Sequence, residues 1–256
     1  MTDQTEYIEV GANKILNLDA EEVGKYIAFL SDKTIKSQDH SLKIELDIQF
    51  PIIRRLNTDT FLIADSRAEN SPNGHVYNFN GQLILSFNAG DGIEDILVHS
   101  NKIIISYFDE GVYGMDGPNN DGLSVFNFRG QQLWGFNSSK SGQAIDDCYC
   151  LCKQDENKVL LYAYSALQVS ELNLDSFKTE PFVTPPDFSG AHAISCTPDK
   201  IILHSSYKDK RSFFSWDRNK NLVTRFGDYS APLRGIGNGK FLTFGDSGYT
   251  IIDPSI

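Results

Sequence analysis

Six segments of the chain share one form: a turn, usually a lysine, then at least three apolar residues that give way to small or polar ones. They cover 25–31, 60–66, 102–108, 158–164, 200–206 and 240–246, and their starts lie 35, 42, 56, 42 and 40 positions apart. A unit recurring every ~40–45 residues cannot bury an apolar face alone and must stack on its copies. The long interval is explained by one insertion, 111–121. Two units also share a second hairpin, Val76-Tyr-Asn-Phe-Asn-Gly-Gln-Leu-Ile-Leu-Ser-Phe87 and Val125-Phe-Asn-Phe-Arg-Gly-Gln-Gln-Leu-Trp-Gly-Phe136, with a weaker version at 214–226. Gly81 and Gly130 supply the positive φ that a tight hairpin turn requires.

Each unit therefore reads as four strands, with the repeated apolar segment second. Helical periodicity is nearly absent; 19–30 comes nearest, and Gly24 with the apolar run after it argues for a strand. Four-stranded units repeated around a ring imply an all-β, six-bladed β-propeller in a single domain. The expected blades cover about 17–50, 51–90, 91–141, 142–188, 189–230, and 231–256 together with 5–16. The last unit reaches a third strand at 249–253 with no fourth after it, so an N-terminal strand at 7–10 is expected to close the ring.

Charge narrows the function. Lys and Arg total 23 against 34 Asp and Glu, a formal charge of −11. Nucleic acid and anionic membrane surfaces favour the opposite sign, so neither is an expected partner. No run approaches the ~20 apolar residues of a membrane span, and 1–10 is too polar for a signal peptide, so the expected location is cytoplasmic. Cys148, Cys150 and Cys152 alternate along one predicted strand and read as inward-packed thiols of a reducing compartment. The competing reading is a soft-metal site completed by Cys196 or His192.

Two places could carry function. Aligning backward from each repeated segment puts a polar residue at the start of the channel-lining strand: Arg54, Glu94, Asp146, His192 and Arg234, with Asn17 a looser match. Two arginines and two acids there favour a salt-bridged plug over a divalent cation. The second place is 91–121, where Asp91, Glu94, Asp95, Asp109, Glu110, Asp116 and Asp121 face a single base, Lys102. Tyr107, Phe108, Tyr113 and Met115 interleave with these acids, and charge that steers beside aromatics that anchor suits a basic protein partner. Asp116, Asn119, Asn120 and Asp121 offer oxygens to Ca²⁺, but their spacing matches no EF-hand and Pro118 interrupts them, so no cofactor is expected. No Gly-x-Ser-x-Gly elbow, phosphate-binding glycine loop or His-Glu-x-x-His occurs. His99 and His204, within or beside strands, read as packed or surface histidines. The alternative to a binding protein is a small-ligand, hydrolase or lyase propeller, with His192 as general base oriented by Asp146 and with Arg54 and Arg234 holding an anionic substrate.

The stretch Asp91-Gly-Ile-Glu-Asp95, then Ile105-Ser-Tyr-Phe-Asp-Glu-Gly-Val-Tyr-Gly114, then Gly122-Leu123, resembles a pattern in a group of uncharacterised bacterial propeller-like proteins. The likeness covers about thirty residues and implies a bacterial origin and the propeller fold, without an activity. In profile, small, acidic and free of catalytic motifs, the chain also resembles immunity proteins of contact-dependent growth inhibition systems. That likeness implies a non-enzymatic inhibitor of a basic, nuclease-type toxin. The acidic, aromatic stretch supplies the residues expected to bind the partner: Glu94, Asp95, Tyr107, Asp109, Glu110, Tyr113, Asp116 and Asp121.

Overall fold

Each repeated apolar segment forms the second strand of an antiparallel sheet: Tyr26–Leu30, Thr60–Asp65, Lys102–Tyr107, Lys158–Ala163, Lys200–His204 and Lys240–Gly245. Burial along them is nearly continuous, with Ile103, Ile104 and Ile105 all fully enclosed. A strand covered by a neighbouring sheet on both faces has no solvent side to alternate with. The computed structural model describes residues 1–22, 24–67, 72–140, 142–164, 167–185 and 189–254. It contains six four-stranded sheets in a ring, a six-bladed β-propeller. The expected blade ends at 141, 188 and 256 lie outside the described residues.

The innermost strands, in blade order, are Ile15–Ala20, Pro51–Arg55, Ile93–His99, Cys148–Lys153, Ala193–Cys196 and Arg234–Gly237. The core lies between blades. Ile27 and Phe29 of the first pack on Ile53 and Phe61 of the second, and Leu97 and Ile104 of the third on Leu151 and Leu161 of the fourth. All innermost strands start at one face of the disc, here called upper, where the second-to-third and blade-to-blade connections also emerge. The lower face holds the first-to-second and third-to-fourth turns.

Closure comes from Thr2–Tyr7, which pairs antiparallel with Gly248–Asp253 from Thr2↔Asp253 to Tyr7↔Gly248. The closing strand expected at 7–10 is therefore misplaced. Its apolar residue Ile8 leaves the sheet edge and fills the core between the last and first blades, beside Leu18 and Ile251. The strand that closes the ring is polar and exposed throughout; the backbone ladder attaches it, joined by a Thr5–Thr250 hydroxyl contact at 3.0 Å.

The cysteine expectation is corrected in one respect. A β-bulge between Cys148 and Cys150 reverses the alternation. Cys148 faces the third blade, whereas Cys150 and Cys152 face the fifth. All four thiols are buried and outside any disulfide; Cys152 Sγ lies 3.9 Å from Cys196 Sγ, while Cys148 is turned to the other side of the sheet. His204 is enclosed against the carbonyls of Arg211 and Tyr229 (3.1 and 3.0 Å).

Candidate functional site

Two ion pairs join innermost strands inside the channel. Arg54, on the second innermost strand, is 4% exposed, and its Nη2 donates to Asp95 Oδ1 at 2.6 Å. Its Nη1 donates to the Ile53 carbonyl (2.7 Å) and to Asn17 Oδ1 (3.2 Å), and its Nε to the Ile96 carbonyl. Arg234 Nη2 donates to Asp19 Oδ1. Burial pushes the Asp19 carboxyl up, but Arg234 and Arg54 outweigh it and hold the group below the ordinary carboxylate range. A salt-bridged plug is what the mixed charges lead one to expect. Its acids, however, are Asp95, the neighbour of the expected Glu94, and Asp19, two residues beyond Asn17, rather than Glu94 and Asp146. The reason is the bulge at Glu94, which turns this side chain into the mouth and Asp95 inward.

Above the plug lies an acidic, aromatic mouth. Glu94 is reachable by solvent yet set among protein atoms; burial, then Asp147 and Asp95, raise its carboxyl to about 7. Asp147 rises to about 6 through burial and Asp109, and its shielded Oδ1 meets no donor among the described residues. Asp146 accepts the Tyr113 hydroxyl, which ties the insertion to the rim. Tyr149 stacks on His192 with ring centroids 5.5 Å apart, contacts Tyr164 at 6.0 Å, and shares a hydrogen bond with the Tyr207 hydroxyl. Burial first, then Lys210 and His204, lower the His192 pKa, so the ring is neutral near pH 7. The tyrosine group at 149, 164 and 207 is the feature that sequence reasoning missed. These residues sit on three different strands or loops, and no local pattern links them.

The insertion on the third blade is built from two short helices, Asp109–Val112 and the 3-10 turn Pro118–Asp121. It stands on a backbone crossing at Gly92 and Gly111, where a Cβ on Gly111 would lie 2.4 Å from the Asp91 carbonyl. Asn119 Nδ2 donates to the Gly111 and Met115 carbonyls (2.6 and 2.9 Å), and Asn120 Nδ2 to that of Val112 (2.9 Å). Gly92 and Gly111, both within the stretch 91–114, therefore hold this crossing. Of the oxygens considered for Ca²⁺, Asp121 accepts from Gln132 Nε2 (2.7 Å) and the Ser138 amide (2.8 Å) and Asn120 Oδ1 from the Gly117 amide (2.9 Å), whereas Asp116 is exposed.

Of the residues expected at a partner surface, Asp109, Glu110, Tyr113, Asp116 and Glu94 lie on the upper face with exposed side chains. Three others do not. Asp95 is in the plug, Asp121 braces the insertion, and Tyr107 is fully enclosed with its hydroxyl on the Ala89 carbonyl at 2.7 Å. Its strand, Lys102–Tyr107, is covered on both faces, so Tyr107 has no solvent side to turn to. Arg67 also engages Glu110 Oε2 at 2.7 Å, which leaves Asp109 and Asp116 as the insertion's less committed charges.

No protein-family model and no curated protein matches the chain. Solved structures do. A catalytically inactive virginiamycin B lyase from Staphylococcus aureus, crystallised with quinupristin, is 11% identical with a TM-score of 0.52, covering 98% of this chain and 99% of that one. PorZ of Porphyromonas gingivalis, a surface component of the type-IX secretion system, is 9% identical at a TM-score of 0.59, over 95% of this chain and 32% of its own. KlAtg21, in complex with the coiled-coil of AgAtg16, is 12% identical at a TM-score of 0.62, over 91% and 78%. What they share with this chain is the fold. Among the described residues no helix is long and apolar enough to cross a membrane.

Proposed function

We propose that the protein is a non-enzymatic binding propeller whose upper face receives a basic protein. The observation that carries this reading is the joining of exposed anchors to uncompensated acid: Tyr113 and Met115 are 72% and 66% exposed beside Asp109 and Asp116. Tyr113 bridges that insertion to Asp146, and so to Glu94, Asp147 and the tyrosines of the mouth. Large exposed apolar groups rimmed by charge mark interaction surfaces, and a partner of opposite sign is steered to them over a Debye length.

In its finest form the partner is a nuclease-type toxin domain and the protein its immunity factor, acting in the bacterial cytoplasm. Carboxylates of the insertion and rim would then stand where the toxin expects phosphates. This finer reading is supported by the net charge and by the absence of a catalytic signature in the sequence.

Copurification from native cells, followed by intact-complex mass spectrometry at low and high salt, tests the reading. The expected result is a basic polypeptide held at low salt and diminished at high salt. It should be lost when Asp109 and Asp116 are changed to Lys. An acidic partner, or one indifferent to those changes, refutes it.

A further inference from the structure

The lower half of the channel carries a different chemistry. Beneath the plug is an open cavity of about 370 Å³, walled by Ala20, Leu97, Val98 and Ile236 and by the charged groups Arg54, Lys153 and Arg234. That volume lies within the ~300–1,000 Å³ of small-molecule sites, which combine apolar walls with a few convergent polar groups.

The charges at its ceiling do not balance. Arg54, Arg234 and Lys153 all lie within electrostatic reach of Asp19. The carboxylates inside are two: Asp19, taken by Arg234, and Asp95, taken by Arg54. Among the described residues no carboxylate comes within ion-pair distance of Lys153 Nζ. Arg234 spends one N–H on Asp19, and its guanidinium makes no other hydrogen bond among the described residues.

The rim does not supply the missing charge. Glu22 is held by Asn238 Nδ2 (2.7 and 2.8 Å) and Lys240 (3.9 Å). Arg55, at the cavity rim, reaches the Tyr26 carbonyl (3.3 Å) and the Phe79 ring (4.8 Å). Glu21 is exposed at the edge. Counting the rim adds Arg55 and Lys240 against Glu21 and Glu22, so one cation remains in excess, inside a protein of net charge −11. Gly237, beside Glu22 and the Lys153 stem, has a φ of +103°, a backbone conformation that side chains rarely adopt.

We infer that this cavity is a binding site for a short-chain monocarboxylate, with its carboxylate between Lys153 and Arg234 and its alkyl part against Leu97, Val98 and Ile236. One added negative charge neutralises the ceiling. A phosphate would bring nearly two and meet Glu21 and Glu22 at the rim. Charge-assisted hydrogen bonds from a guanidinium and an ammonium are the strong kind, and the apolar wall rewards each methylene that fits.

The site is tested on the whole purified chain by NMR and thermal shift with acetate, propanoate and butanoate, against sodium chloride at equal ionic strength and against inorganic phosphate. We expect saturable binding that tightens from acetate to butanoate, with shifts confined to methyls of Leu97, Val98 and Ile236. Lys153→Met should weaken it at least about ten-fold, and Glu21→Gln should leave it unchanged or tighter. Arg234→Met should abolish it, and if that variant fails to fold, Lys153→Met still decides. No saturable shift with any of the three carboxylates, a stronger response to phosphate, or undiminished binding in Lys153→Met overturns the inference.

Discussion

The two mouths of the channel are opposite ends of the same six strands, yet they differ in almost every respect. The upper one is acidic and aromatic, with Glu94, Asp146 and Asp147 among tyrosines 113, 149, 164 and 207. The lower one has Lys153 and the undersides of Arg54 and Arg234 above an apolar wall. Connection length accounts for the contrast. Turns on the lower face span 2 to 5 residues, short enough to be fixed by hairpin geometry. Connections on the upper face include the insertion and the long links before the fourth and fifth blades, which have room to carry side chains outward. Arg54 and Arg234 lie between: they border the lower cavity and also a second one lined by Asn17, Leu233 and Phe244.

Breaking the plug should have the largest effect. Arg54→Met strands the buried Asp95 carboxylate, and losing one member of a buried pair costs about 3–5 kcal/mol. Urea denaturation should show that loss, and the double variant Arg54→Met with Asp95→Asn should recover part of it. A stability equal to wild type in Arg54→Met would mean that the pair does not hold the ring. Next in size is the electrostatic contrast between the faces. Asp109→Lys with Asp116→Lys should weaken binding of the basic partner at least about ten-fold and flatten its salt dependence. Lys153→Glu, on the opposite face, should leave both unchanged by surface plasmon resonance.

The architecture was legible because it is written in repeated apolar segments, and all six became second strands. The plug was half legible. Arg54 and Arg234 announced themselves by type and position, but the bulge at Glu94 exchanged the roles of neighbouring acids, and a one-residue irregularity leaves no trace in composition. The same cause reversed the cysteines at Tyr149. The closing strand escaped because Thr2–Tyr7 has no buried face to pattern; its pairing is a property of the backbone. The insertion's acids divided into exposed and enclosed sets by tertiary contacts that spacing does not encode, as with Asp121 against Gln132.

A smaller effect concerns pH. Glu94 is raised to about 7 and Asp147 to about 6 in the folded chain, against ordinary values of 4.5 and 3.8. The folded state therefore holds these protons more tightly than the unfolded one. Their contribution favours folding below the unfolded values and is lost as pH rises through the folded ones. Glu94→Gln should raise Tm relative to wild type by an amount that grows between about pH 5 and about pH 8. A difference independent of pH would show that Glu94 keeps an ordinary pKa. The smallest effect belongs to Tyr113→Phe, which removes the link to Asp146. It should cost about 1 kcal/mol of partner affinity or less, with the fold unchanged by circular dichroism.

Hydrogen–deuterium exchange on the protein alone and in complex with its copurified partner tests the central claim most directly. Protection should appear over 108–117, 146–150 and 205–211, all on the upper face, while 153–158, 197–200 and 238–240 exchange as in the free chain. Protection of the lower turns, or of the outer strands with the upper face unchanged, would contradict the account.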